Sequence, residues 1–326
     1  MADEQLRIGI IGCGGISRAH ASAYKKAAGC RVVAVSDVRP GAAEAMAGDL
    51  GAECYDDWER MISSEELDGV SICTPPSSHR EIALGCIGAE LAVLCEKPLA
   101  DSVVAAAEIE EAARSSKKPF MVGFKFRFHP GVERARELLR SGELGEPVLF
   151  RTMAAGFVDM SDRWFSKRKI AGGGVALDNG VHLLDTVRFV AGEIADISAR
   201  ATTIAQEMEV ENTAAFLFSL EGGGFGTTTL SWVSAGMGEW LGELHCTGGS
   251  VFWGWSNFVH RPKDGEAVAV DYSPEEGDMF GREVAHFVEC VRSGATPRAT
   301  AEDGLRVQEI IEAAYRSAEE EVAIRP

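Results

Sequence analysis

The stretch Leu6-Arg7-Ile8-Gly9-Ile10-Ile11-Gly12-Cys13-Gly14-Gly15-Ile16-Ser17 decides how the chain is read. A short apolar run ends in glycines and gives way to a helix-like segment over 15–28. The pattern is G-x-G-x-x-S, one residue from the dinucleotide fingerprint. Gly12 permits a tight turn and Gly14 lets the backbone approach a diphosphate, while the helix start offers N–H groups and a positive dipole end. Ser17 is small enough for the third position, where helix packs against strand.

Working outward, further short apolar runs occur at 31–37, 69–74, 91–96 and 119–124, with helix-like stretches at 41–50, 79–90 and 102–117 between them. Uniformly apolar runs are what strands covered on both faces look like, and strand–helix alternation predicts a parallel, doubly wound sheet. The second run ends at Asp37, 20 residues past Ser17. An acid there accepts hydrogen bonds from the adenosine ribose and repels a 2′-phosphate, which favours NAD(H) over NADP(H); Arg39, able to pair with that phosphate, points the other way. Asp56 and Asp57 precede a helix-like segment and read as N-caps rather than a carboxylate site.

Beyond residue 124 the rhythm changes. After a helix over 130–141 and a strand over 148–157, a glycine-led helix runs from about 174 to 190, stopped by Gly192. Strands then follow near 194–205, 213–220, 225–233, 240–247, 250–255 and 267–272 without helices between them, and helices over 279–293 and 301–320 close the chain. Glu221-Gly222-Gly223-Gly224 reads as a hairpin turn. The expected architecture is therefore a dinucleotide-binding domain over 1–124 and an α+β domain with an open, mainly antiparallel sheet over 125–326.

Composition sets outer bounds. The 326 residues are 46% hydrophobic and 25% charged, as in soluble globular chains, and the net charge of −18 makes nucleic acid and anionic membranes poor partners. No apolar stretch approaches the ~20 residues of a membrane span, and the acidic start Met1-Ala2-Asp3-Glu4 does not resemble a secretory leader. Eight cysteines form no C-x-x-C pair, which fits a reduced, cytoplasmic chain better than a disulfide or zinc framework. The histidines show no ligand spacing, so no metal is expected.

Four segments stand in one order: Gly12-x-Gly14 with His20 in the next helix; Thr74-Pro75-Pro76-Ser77-Ser78-His79; Glu96-Lys97-Pro98; and Asp178-Asn179-Gly180-Val181-His182. Together with Phe126-Arg127-Phe128-His129-Pro130 and the glycines at 172–174, they resemble the glucose–fructose oxidoreductase / inositol dehydrogenase / rhizopine-catabolism (Gfo/Idh/MocA) family of NAD(P)-dependent oxidoreductases. The likeness spans nearly the whole chain, and Glu-Lys-Pro is its most specific element. It implies a Rossmann domain followed by an open antiparallel sheet whose outer face serves in homodimers or homotetramers. It implies cofactor contacts from Gly12, Gly14, Gly15, Ile16 and Asp37, and from Thr74, Pro75, His79, Glu96 and Lys97. Two positions depart from the family pattern: Ser17, and Asn179 where an apolar residue is commoner.

Ligands of an open parallel sheet bind beyond the carboxyl ends of its strands, where Thr74-Pro75 and Glu96-Lys97-Pro98 fall. Pro98 restricts how Lys97 leaves its strand. Asp178 and His182, four apart on a helix, share a face. Hydride transfer to or from an alcohol carbon needs a proton moved at the alcohol oxygen, and an imidazole suits that task near neutrality. His182 is thus the expected acid/base, Asp178 its orienting partner or a hydroxyl ligand, and Lys97 the cation that polarises the carbonyl or relays the proton. Asp185 reads as structural. Arg127, Arg163, Trp164 and Asn179 are candidates for the substrate wall, and Trp232, Trp253 and Trp255 read as sheet-face aromatics. The function expected is NAD-dependent oxidation of a sugar or cyclitol secondary alcohol. The competing reading is a glycosidase or lyase that keeps NAD bound for transient oxidation.

Overall fold

The computed structural model describes residues 5–39, 41–236 and 238–326; Met1-Ala2-Asp3-Glu4, on which the reading of no leader rests, lie outside the described residues. The chain divides into two compact units, Met1–Lys125 with Met279–Leu305 and Phe126–Asp278 with Arg306–Pro326.

In the first unit the order is β1 (Leu6–Ile11), α1 (Gly15–Lys26), β2 (Cys30–Ser36), α2 (Ala42–Leu50), β3 (Glu53–Tyr55), α3 (Trp58–Ser64), β4 (Gly69–Ile72), α4 (His79–Gly88), β5 (Ala92–Cys95), α5 (Val103–Ser115) and β6 (Phe120–Val122). The strands form one parallel sheet ordered β3-β2-β1-β4-β5-β6, and the chain crosses from one half of the sheet to the other between β3 and β4, so the order switches where β1 meets β4. Ile8, Ile10, Val35, Val70, Ile72 and Leu94 are completely buried, as strands covered on both faces require. Asp57 caps α3, its carboxylate accepting the Arg60 N–H at 2.8 Å, as the sequence suggested. The three-residue β3 went unanticipated, since so short a strand carries no periodicity.

The second unit contains α6 (Pro130–Arg140), β7 (Pro147–Ala155), α7 (Arg168–Ala171), α8 (Val181–Ala191), β8 (Ile194–Thr202), β9 (Thr213–Leu220), β10 (Phe225–Ser231), β11 (Gly242–Cys246), β12 (Gly249–Trp253), β13 (Asn257–Pro262) and β14 (Val268–Asp271). Two helices follow, α9 (Met279–Ser293) and α10 (Ala301–Glu320). The sheet runs β14-β13-β12-β11-β7-β10-β9-β8 and is antiparallel except where β10 lies parallel to β7. Its inner face buries Phe150, Phe216, Phe218, Leu244, Val251 and Trp253, with α8 packed on β7 and α6 on β12. On the outer face Leu217 is 49% and Phe225 52% exposed. The glycine turn joins β9 to β10, with Gly223 and Gly224 at φ of +95° and +79°.

Two further features differ from expectation. β13 was missed because its residue types do not follow its burial: the inward positions are Phe258 and the polar His260, while apolar Val259 faces the other way. The segment Met279–Leu305, expected in the second domain, belongs to the first unit: α9 lays buried Val284, Phe287 and Val288 on that unit and packs on α1, and Ala299 O pairs with Val122 N–H at 3.0 Å. Among the described residues no helix is long and apolar enough to cross a membrane.

Candidate active site

The carboxyl edge of the parallel sheet gathers most of the expected cofactor residues. Gly12 has φ of +91°, and a Cβ on it would sit 2.8 Å from both the carbonyl carbon and oxygen of Cys73. β1 and β4 therefore end so close together that only glycine fits. At Gly14 and Gly15 the geometry is the reverse: a Cβ would meet nothing within 4 Å. Gly14 is the N-cap of α1 and supplies no side-chain cap, whereas Asp57, Ser102 and His129 cap α3, α5 and α6. Ile16 lies half-buried in the first turn of α1. Ser17, fully buried, turns its hydroxyl back to Gly14 O at 2.7 Å, so the departure at the third fingerprint position keeps the turn intact.

Asp37 is fixed at the end of β2. Its Oδ2 accepts the Cys13 N–H at 2.7 Å, and Arg39 closes a fork on it through Nε at 3.0 Å and Nη2 at 2.8 Å. Burial pushes the Asp37 carboxyl up, but the Arg39 and Cys13 hydrogen bonds outweigh it and hold the carboxyl below its ordinary range. Thr74 and Pro75 follow β4, both half-buried, with the Ser78 hydroxyl 2.8 Å from Thr74 Oγ1. His79 sits behind them. Its ring nitrogens face Pro98 O at 3.0 Å and Thr74 O at 2.8 Å, tying the loop after β4 to the loop after β5. Burial lowers its pKa more than those carbonyls raise it. His79 therefore braces the site from inside rather than lining it.

Glu96 likewise turns inward. Its Oε1 is 2.8 Å from His20 Nε2, its Oε2 accepts the Lys97 N–H at 3.1 Å, and a chain continues from His20 Nδ1 through Ser71 Oγ to Tyr24 OH. Burial raises the Glu96 carboxyl, and the His20 contact with the charges of Lys97 and Lys125 brings it below its usual range. Glu283, on α9 and fully buried, has no hydrogen-bond partner on either oxygen among the described residues. Burial and the Glu96 charge push its carboxyl well up, against the lowering effect of the Lys125 charge, so the two acids are shifted in opposite directions. Lys97 is half-buried and joined to Pro98 by a cis peptide bond.

In the second unit the residues 176–180 form a π turn that runs straight into α8. The sequence predicts an uninterrupted α-helix here; the widened turn is a frequent companion of functional residues. Asp178 and Asn179 are half-buried on it, and His182 is buried in the first turn of α8 with its ring 5.2 Å from that of Phe126. Asn179 Oδ1 accepts the Trp232 indole N–H at 2.7 Å, which explains a polar residue at this position. Trp232 was read only as a sheet-face aromatic, and the 53 residues separating the pair hide the contact from the sequence.

The expected wall residues separate. Arg127 is buried and forks onto Asp185 at 2.6–3.2 Å, over the Phe189 ring, so it is half of a buried ion pair rather than a donor on a wall. Asp185 is structural, as read. Arg163 is exposed, while Trp164 stacks on Phe165 at 3.8 Å, and Phe165 meets Trp232 edge-on. Lys167 and Arg168 both pair with Glu209. Trp253 is core, whereas Trp255, read with it as a sheet-face aromatic, is 54% exposed and its ring lies 5.8 Å from that of Phe126, which also meets His182.

Residues 6–124 match the family model described as an oxidoreductase family with an NAD-binding Rossmann fold, and residues 132–252 match the GFO/IDH/MocA C-terminal domain. Inositol 2-dehydrogenase of Rubrobacter xylanophilus is 32% identical over 240 residues, covering 71% of this chain and 66% of the relative. D-apiose dehydrogenase of Paraburkholderia graminis is 27% identical, covering 95% of this chain and 87% of its own. Levoglucosan dehydrogenase, solved in complex with NADH and levoglucosan, superposes with a TM-score of 0.92 at 23% identity over 99% of both chains. The chain belongs to the Gfo/Idh/MocA family of NAD-binding oxidoreductases.

Proposed function

We propose that this family member transfers hydride reversibly between NAD(H) and a secondary alcohol of a sugar or cyclitol. The observation that carries the reading is the turn at Gly12–Gly14 with Asp37 locked beside it. Gly14, Gly15 and the first turn of α1 face the cofactor diphosphate, and the ionised Asp37 accepts the ribose hydroxyls, which favours NAD(H) over NADP(H). Thr74 and Pro75 line the same edge. Bound there, NAD supplies the hydride acceptor. His182 takes the proton from the reacting hydroxyl oxygen and returns it in the reverse direction. Asp178 orients the imidazole or holds a neighbouring hydroxyl, and the Lys97 ammonium stabilises charge on the reacting oxygen. Trp164 and Asn179 with Arg163 contribute to substrate selection. The relatives' names, inositol and D-apiose dehydrogenase, support a polyol substrate.

Two properties accompany this reading. The exposed Leu217 and Phe225 on the outer sheet face support self-association into a homodimer or homotetramer, which light scattering after gel filtration reads directly. All eight cysteines are unpaired thiols, which supports a reducing, cytoplasmic setting. The activity is tested by mixing the protein with NAD or NADP and a panel of myo-inositol, D-apiose, levoglucosan and D-glucose, and following nicotinamide absorbance. Reduction of NAD by at least one of these polyols is expected. Glycoside cleavage with no net reduced cofactor would replace this reading with the NAD-assisted hydrolase.

A further inference from the structure

Three consecutive backbone amides at the start of the π turn go to a single residue 35–37 positions further on. Glu211, 7% exposed, accepts the Gly174 N–H at 3.1 Å on both carboxylate oxygens and the Ala176 N–H at 2.9 Å, while its own carbonyl accepts the Val175 N–H at 2.9 Å. Tyr315, on α10, donates its hydroxyl to the same carboxylate at 2.9 Å. The first amides of a helix have no partner within it, and an anion there also meets the positive end of the dipole. Here the anion comes from the β8–β9 connection and not from the preceding residue, since Val175 supplies no side-chain cap.

The glycines complete the arrangement. A Cβ on Gly174 would stand 1.8 Å from Glu211 O, and one on Gly173 2.2 Å from Tyr315 Oη. Both positions must be glycine because Glu211 and Tyr315 approach the backbone so closely. Asp178 comes four residues after Gly174, and its N–H bonds Gly174 O at 2.9 Å, so the clamped glycine is the root of the turn that carries it.

We propose that Glu211, backed by Tyr315, is a positioning residue for the acid–base turn: it fixes the start of 174–182 and thereby where Asp178 and His182 stand. The inference rests on the role assigned to those two residues above. Burial pushes the Glu211 carboxyl up, opposed by its hydrogen bonds from Ala176, Tyr315 and Gly174. It also pushes the Tyr315 phenol well up, together with the Glu211 charge, so the phenol keeps its proton and donates. Losing the phenol hydroxyl leaves the carboxylate with fewer donors and the turn less firmly held.

The test compares Tyr315→Phe and Glu211→Gln with the unaltered protein by hydrogen exchange of peptides covering 172–183, by NADH titration, and by turnover of whichever panel polyol is oxidised fastest. For both variants, exchange rises at least about tenfold in 172–183 and not across the rest of the second unit, and NADH affinity stays within about twofold. Turnover falls at least about tenfold for Glu211→Gln, with KM for the polyol within about threefold. Unchanged exchange in 172–183, or a uniform rise over the whole unit, overturns the clamp. Faster local exchange with unchanged kcat overturns the positioning role. His182→Ala, run alongside, separates the two readings: normal turnover in that variant defeats the acid/base assignment itself, while the exchange data still report on the clamp.

Discussion

Two helix starts in this molecule are built in opposite ways. At α1, Gly14 gives no side-chain cap, and both glycines have open space where a Cβ would go. At the 176–191 helix the amides of 174, 175 and 176 are all taken by Glu211, and the flanking glycines are closed over by protein atoms. The first start is arranged for its backbone to meet a ligand. At the second the backbone is satisfied internally, and the turn that follows carries Asp178 and His182. A glycine cluster before a helix thus has two meanings, and what surrounds the glycines tells them apart.

The largest expected effects break this contrast from the side-chain end. His182→Ala lowers turnover by about a thousandfold, in the range of lost general acid–base catalysis, and leaves NADH affinity within about threefold. Lys97→Ala behaves similarly in steady-state assays. A loss of NADH binding in step with turnover would mean that the α8 turn also serves the cofactor.

Next comes the backbone end. Gly12→Ala places a Cβ against the Cys73 carbonyl at a φ that L-residues rarely adopt, so it costs about 2–3 kcal/mol in denaturant unfolding and abolishes NADH binding. If it binds NADH normally, β1 and β4 are not held as close as described. Asp37→Ser sharpens the same end. With its fork removed, Arg39 becomes available to a 2′-phosphate, and the NADH-to-NADPH affinity ratio falls by about tenfold or more, or about 1.4 kcal/mol. An unchanged ratio would show that Asp37 does not read the ribose.

The smallest effect concerns the buried acid beside Glu96. The Glu283 carboxyl is raised in the folded state, so its contribution is fully present below the unfolded carboxyl pKa and is lost as pH rises through the folded one. As pH rises above the ordinary carboxylate range, the melting temperature of the wild-type protein therefore falls relative to that of Glu283→Gln until the folded-state pKa is passed. One proton can contribute a slope of at most about 1.4 kcal/mol per pH unit. Parallel melting curves would show that Glu283 is already ionised.

Features fixed by local backbone demand were legible in the sequence. Gly12, Gly14 and Asp37 follow from the geometry of one β–α–β unit, and the hairpin at 221–224 from its glycines. What was not legible depends on residues far apart in the chain. Nothing near Arg127 announces Asp185, nothing near Asn179 announces Trp232, and nothing near the glycines at 172–174 announces Glu211 or Tyr315. The return of α9 to the first unit is of the same kind: its amphipathic face shows that it packs, not on what.

The central claim is that the chain moves hydride from a polyol carbon to NAD while its own side chains handle only the proton. The most direct measurement uses the best-oxidised polyol carrying deuterium at its reacting carbon. The account predicts one deuterium recovered in each reduced cofactor released and none lost to water. Deuterium released to solvent, or a cleaved product with no net reduced cofactor, would contradict it.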